Sequence, residues 1–155
     1  MILETSGEDY ASLLLGHAPR NFTLSATSIA PVEVLRMLAD VAANVRATFS
    51  PASWLIVEGA ELVGLCSVTR PPDGSVIDIG YGIAPDRRGR GSASRAIGEI
   101  VGWARDSGRV AAVTAETSVA NIASQRVLSR NGFARVGERI DDEDGPLICW
   151  RHQLM

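Results

Sequence analysis

The chain has 155 residues, enough for one domain that buries its apolar surface without cross-links. With 46% hydrophobic and 21% charged residues it reads as an ordinary globular protein, and a net charge of -3 removes any general attraction to nucleic acid. No apolar run approaches the roughly 18 residues of a membrane span, and Met1-Ile2-Leu3-Glu4-Thr5 lacks a basic segment ahead of a long apolar core, so neither a membrane partner nor a secretory signal is expected and the default location is cytoplasmic.

Residues 1–20 are weakly patterned. A short helix is expected over residues 9–15, stopped by Gly16 and Pro19, and a first strand over residues 21–26. A helix over residues 31–46 follows more clearly. Val34, Leu35, Leu38, Val41, Ala42 and Val45 recur at helical spacing, Pro31 suits a first turn, and Ser50-Pro51 closes the region. Three strand-like runs come next, over residues 54–57, 62–69 and 76–83. The turns Glu58-Gly59-Ala60-Glu61 and Pro71-Pro72-Asp73-Gly74 separate them, which predicts an antiparallel meander.

The second half alternates. A helix is predicted over residues 92–107, with Ala93, Ala96, Ile97, Ile100, Val101 and Ala104 as its apolar stripe and Gly108 as its stop. A strand over residues 110–117 precedes a helix that Asn121 caps and Asn131-Gly132 ends. Residues 134–140 and 147–154 read as a closing hairpin across Asp141-Asp142-Glu143-Asp144-Gly145-Pro146, whose acidic run reads as a solvated tip or as a rim that draws cationic acceptors. The order is α+β in a single domain, residues 1–155, and Trp54, Trp103 and Trp150 are expected to pack. Cys66 and Cys149 lie far apart in apolar stretches; a disulfide is open, but two buried free thiols in a reducing compartment are preferred. His17 and His152 show no metal-ligand spacing with them, so no metal site is expected.

The chemistry concentrates in Ile83-Ala84-Pro85-Asp86-Arg87-Arg88-Gly89-Arg90-Gly91-Ser92-Ala93, between a predicted strand and a predicted helix. Small residues at a helix N-terminus present unpaired amides and a partial positive charge to an anion, and glycines let the main chain come close to it. Arg87, Arg88, Arg90 and Arg95 fall within nine residues of an otherwise mildly acidic chain, a patch suited to a small polyanion. The Gly-x4-Gly-Lys-Ser/Thr pattern of nucleotide-dependent phosphotransfer is missing.

Taken together, Asp78-Ile79-Gly80-Tyr81, Ile83-Ala84-Pro85, Arg88-x-x-Gly91-x-Ala93, Asn121-x-x-Ser124-x-Arg126-Val127-Leu128 and Asn131-Gly132-Phe133 resemble the acetyl-coenzyme A segments of the GNAT N-acetyltransferases, in flavour nearest the branch that acetylates ribosomal-protein N-termini. The resemblance covers about residues 54–154 and leaves the N-terminal third to shape the acceptor site. It implies a mixed, mostly antiparallel sheet flanked by helices, with residues 76–83 and 110–117 as a splayed parallel pair. It also implies acetyl-CoA as cosubstrate. The amides of Arg88, Gly89, Arg90, Gly91, Ser92 and Ala93 would wrap the pyrophosphate, Ile83 would pair with the pantetheine arm like an added strand, and Arg87 or Arg90 would meet the 3'-phosphate. Asn121 would either contact that arm or serve only as a helix cap.

Amide formation from an amine and a thioester needs a base for the ammonium proton. Asp78, where many relatives carry Glu, and Glu116, near the end of the partner strand, are the candidates, each with a plain alternative as a solvated strand residue. Aspartate is one methylene shorter, which favours a bridging water. Ser124 would donate to the departing thiolate or else bond its own backbone; the helix after Asn121 lacks the acidic tyrosine of several relatives. Tyr81 is a further hydrogen-bond donor or a core residue, and Arg95, where close relatives often have Glu, either joins the basic face or pairs with Glu99. Direct transfer through a tetrahedral intermediate, with an amide near Ile83 holding the oxyanion, is expected over an acyl-enzyme, because no cysteine sits by the loop. The acceptor would be a primary amine, on a small molecule or a peptide N-terminus, and a homodimer is allowed. The competing reading is a non-catalytic acyl-CoA-binding or sensor module.

Overall fold

A computed structural model describes residues 1–155 as β1 (Ile2–Glu4), α1 (Gly7–Leu14), β2 (Thr23–Leu24), α2 (Val32–Arg46), β3 (Ser53–Glu58), β4 (Glu61–Val68), β5 (Val76–Ile83), α3 (Ser92–Ser107), β6 (Ala112–Ser118), α4 (Ile122–Arg130), β7 (Ala134–Asp141) and β8 (Gly145–Gln153). All strands belong to one sheet, ordered β1-β3-β4-β5-β6-β8-β7, with β2 pairing parallel to β4 off that path. The expected meander is β3-β4-β5, antiparallel throughout. The expected parallel pair is β5 and β6, and β7 with β8 is the closing hairpin. No helix is long and apolar enough to cross a membrane.

Strand alternation sorts the helices onto two faces. Trp54 and its cross-strand partner Cys66 face α3, where the Trp54 and Trp103 rings meet edge to face at 5.3 Å. Ser53 and Ser67 face the other way, where Ser53 Oγ lies 2.8 Å from the Tyr10 hydroxyl of α1 and α2 packs on β4. The apolar stripe of α3 is buried at Ala96, Ile97, Ile100, Val101 and Ala104; each isoleucine removed from water contributes about 1.5–3 kcal/mol. Both ends of α3 are left-handed glycines, Gly91 and Gly108.

Differences from expectation concentrate in the N-terminal third. Helix α1 starts at Gly7 rather than Asp9, because Ser6 and Asp9 form a reciprocal capping box. The strand expected over residues 21–26 shrinks to Thr23–Leu24, and the unexpected Ile2–Glu4 extends the sheet beside β3. Strands of two or three residues carry too little alternation to read. Both cysteines are free, but only Cys66 is buried; Cys149 is half-buried beside Glu116, since it lies on the open face of β8. Arg95 does not pair with Glu99. Its guanidinium reaches Glu58 at 2.7 Å, whereas Glu99 takes the N-terminal ammonium at 3.3 Å.

Candidate active site

The site begins where β5 and β6 part. Their ladder ends at Ile79 opposite Ala115, yet β4 stays beside β5 to Ile83 and β8 stays beside β6 to Ser118. A register shift between Ile56 and Val57 leaves Val63 as an extra residue on β4, and such a bulge bends a strand. The bulge meets the end of β5, where Ala84 N–H donates to the Val63 carbonyl at 2.8 Å. Gly64 permits the close approach, since a Cβ there would stand 2.3 Å from the Gly82 carbonyl oxygen. Because Ala84 N–H and the Asp78 carbonyl both point to β4, alternation turns the main chain of Tyr81 and Ile83 toward the opening. The Ile83 carbonyl is already met there by Arg88 Nε at 3.2 Å, so its N–H is the free half of that peptide pair.

The loop that follows delivers α3 to the mouth of the opening. No N–H from Arg88 through Ser94 donates to another protein atom; the first bond of the helix is Arg95 N–H to the Gly91 carbonyl at 3.0 Å. Gly89 and Gly91 have φ of 77° and 78°. Alternating hands of backbone turn successive amides toward one point, which is how a main chain surrounds an oxyanion. The first turn of α3 contains no acidic residue to compete for that place. The arginines divide. Arg87 is committed to Glu61 and Asp86, and Arg88 to Ile83, while Arg90 has no ion pair or hydrogen bond within the protein.

Helix α4 closes the opposite side. Asn121 caps it by accepting from Ser124 N–H at 3.1 Å with its side-chain oxygen, so its amide nitrogen is left to donate elsewhere. Capping and a ligand contact would therefore use different atoms of one side chain. Gln125 ties the preceding loop through the Ser118 and Val119 carbonyls. Asn131 bridges to the Ser94 carbonyl of α3 at 3.1 Å. Tyr81 spans from β5 to α4, donating its hydroxyl to the Ser124 carbonyl at 3.3 Å; burial pushes this phenol up to about 12, so it holds its proton and the position of α4.

The carboxylates lie on the other face of the sheet. Asp78 is 8% exposed and accepts the hydroxyls of Thr69 and Thr114, each at 2.6 Å, with Arg70 at 3.4 Å. A carboxylate has about four acceptor positions, so this network orients Asp78 without exhausting it. Glu116 is bidentate with Arg139, and that hydrogen bond is the main reason its carboxyl lies below the ordinary glutamate value. Asp78 and Glu116 border the same open cleft, with Arg70, Arg139 and Cys149. The Cys149 thiol is pushed up by burial and by Glu116, which keeps it protonated.

Sequence reading missed Thr69, Thr114 and Arg70 around Asp78, and Ser94 as a member of the amide row. Thr114 is reached only through the parallel register of β5 on β6, which no local pattern reveals.

The mixed sheet with its splayed β5–β6 pair, flanked by α3 and α4, has the architecture of acetyl-CoA-dependent transferases. Residues 8–134 match the acetyltransferase (GNAT) domain, and the chain belongs to this family of acetyl-CoA-dependent N-acetyltransferases. Solved structures share the fold. A GNAT-family acetyltransferase from Streptococcus pneumoniae aligns with a TM-score of 0.70 at 16% identity, covering 100% of this chain and 99% of that one. Spermidine N-acetyltransferase SpeG from Vibrio cholerae, in a variant form, gives 0.71 at 13%, covering 99% and 95%. The aminoglycoside acetyltransferase AAC(6')-Ib in complex with coenzyme A and kanamycin gives 0.67 at 15%, covering 99% and 94%. No curated protein matches the chain in sequence.

Proposed function

We propose that this protein moves the acetyl group of acetyl-CoA to a primary amine by direct attack. The observation that carries the reading is the row of unpaired amides from Arg88 to Ser94, curved by two left-handed glycines at the mouth of the β5–β6 opening. Such a row suits a diphosphate, with Arg90 free for a further phosphate and the Ile83 N–H and the Asn121 amide nitrogen free for the pantetheine arm. The N–C bond forms at the thioester carbon and the C–S bond breaks. One ammonium proton passes to Asp78, directly or through one water; the second leaves the nitrogen as the tetrahedral intermediate collapses and ends on the departing thiolate, relayed by the Ser124 hydroxyl or by solvent. A second main-chain N–H near Ile83, that of Tyr81 on the same side of β5, faces the oxyanion that develops between these events. Glu116, already engaged by Arg139, is the weaker candidate base.

In this reading residues 54–154 hold the cosubstrate and the N-terminal third shapes the acceptor site. It invokes no metal, suits a cytoplasmic setting with two free thiols, and holds for a monomer or a homodimer. The acceptor amine belongs to a small molecule or a peptide N-terminus. One observation favours the competing reading of a non-catalytic acyl-CoA-binding module: Asp78 is held by two hydroxyls and an arginine, as a structural carboxylate would be. Calorimetry with acetyl-CoA and CoA, followed by a thiol-release assay with a panel of amines, separates the two. Binding and release are expected. Binding without release on any amine leaves the module, and no binding at all removes both.

A further inference from the structure

The face of the sheet beneath α2 contains a cavity of about 430 Å³, in the range that suits small-molecule ligands. Its roof is one side of α2, Val34, Met37, Leu38 and Val41, extended by Ile29 from the preceding loop. Its floor is Ser67 of β4, Thr69 just beyond that strand, and Gly80 and Gly82 of β5. Two glycines there mean that no side chain separates the cavity from the main chain that borders the β5–β6 opening. None of its lining residues carries a charge. The cavity also accounts for the exposure of two apolar residues on this side of α2, Met37 at 50% and Val34 at 37%.

Position identifies what the cavity receives. The bare amides at the start of α3 and the cap of α4 belong to the opposite face of the sheet, so the two sides communicate where β5 and β6 separate. Thr69 lines the cavity and bonds Asp78, which places the proposed base at its edge. A polycation entering here could set one nitrogen at Asp78, but its other charges would lose water against walls that offer no further carboxylate, which costs heavily. An amine whose body is neutral and apolar loses nothing comparable and removes these exposed α2 side chains from water.

On the basis of the function proposed above, we infer that the acceptor is a monoamine with a neutral, apolar body, of arylalkylamine type, lodged between α2 and the β4–β5 floor with its nitrogen at Asp78. This sets it apart from the polyamine and the aminoglycoside that name the spermidine and aminoglycoside acetyltransferases sharing its fold.

The test uses the full chain with 2-phenylethylamine, tryptamine, spermidine and kanamycin. With acetyl-CoA, kcat/KM for the two arylalkylamines is expected to exceed that for spermidine and kanamycin at least tenfold. Met37→Glu, at a position exposed enough to tolerate a carboxylate, is expected to raise KM for 2-phenylethylamine about tenfold with kcat and CoA affinity little changed. Preference for spermidine or kanamycin, or a Met37→Glu variant with unaltered KM, overturns the inference while leaving the transferase reading intact. Calorimetric titration of 2-phenylethylamine into the CoA-saturated protein is read separately. Binding that Met37→Glu weakens supports the cavity assignment even if no amine is acetylated, an outcome that would remove the proposed function alone. Turnover of hexanoyl-CoA above acetyl-CoA, with no saturable binding of 2-phenylethylamine, assigns the cavity to an acyl chain and overturns the inference.

Discussion

Replacing Gly89 by alanine isolates the contribution of the left-handed backbone to cofactor binding. A Cβ at Gly89 has no heavy atom within 4 Å, so the substitution adds no clash and acts only through its φ of +77°. Holding an L-residue in that region costs about 1–2 kcal/mol. The cost falls on stability if the free loop is already rigid, and on binding if the free loop relaxes to negative φ and must be returned when ligand arrives. No N–H from Arg88 to Ser94 has an internal partner, so nothing in the free protein holds the strained form, and the cost is expected in binding. Converted through the affinity relation, about 1–2 kcal/mol is roughly a 5- to 30-fold weaker Kd for CoA. Calorimetry against CoA reads the affinity, and urea unfolding without ligand reads the stability, which is expected to change by less than about 0.5 kcal/mol. Gly59→Ala is the control. Its φ is +60°, also with no atom within 4 Å, but it sits in the tight β3–β4 turn, so its cost is expected in unfolding with CoA affinity unchanged. A Gly89→Ala protein that binds CoA as well as wild type would refute the convergence of these amides on the ligand, whatever happens to its stability.

Asp78→Asn preserves shape and keeps one acceptor for Thr69 or Thr114 but removes the proposed base; kcat is expected to fall about 10²- to 10⁴-fold with CoA affinity unchanged. Activity near wild type in a thiol-release assay would move the proton transfer to another group. Glu116 provides a pH test. Its folded carboxyl lies below the ordinary value of 4.5 because of Arg139, so the pair stabilises the fold fully above that pH, and the benefit is lost as pH falls through the lower folded value. The stability difference between wild type and Glu116→Gln, from urea unfolding, should be constant above that pH and shrink toward acid; a difference independent of pH down to 3 would deny the ion pair any part in it.

What could be read along the chain is what residues do through their own backbone or their own helix. Gly89 and Gly91 announce positive φ, Asn121 and Gly108 announce helix ends, and the stripe from Ala93 to Ala104 announces the buried side of α3. These effects are local, so the glycine loop and the succession of helices and strands from β3 onward were legible before any coordinates. The resemblance across residues 54–154 carried the same information in the order of its motifs.

Tertiary structure decided the partners. Arg87 and Arg90 look alike in the sequence, yet Arg87 meets Glu61 across the sheet edge and Arg90 meets nothing. Asp78 became a held carboxylate only because a parallel register set Thr114 beside it and an antiparallel one set Thr69 on its other side. The cavity beneath α2 joins segments far apart in the chain, residues 29–41, 65–69 and 80–82. Strand register and helix docking are settled by burial summed over the whole domain, and one residue of slip would turn every side chain of a strand to the opposite face. That is why the glycine loop and the start of α3 are legible in the sequence and the cavity beneath α2 emerges only once the chain is folded.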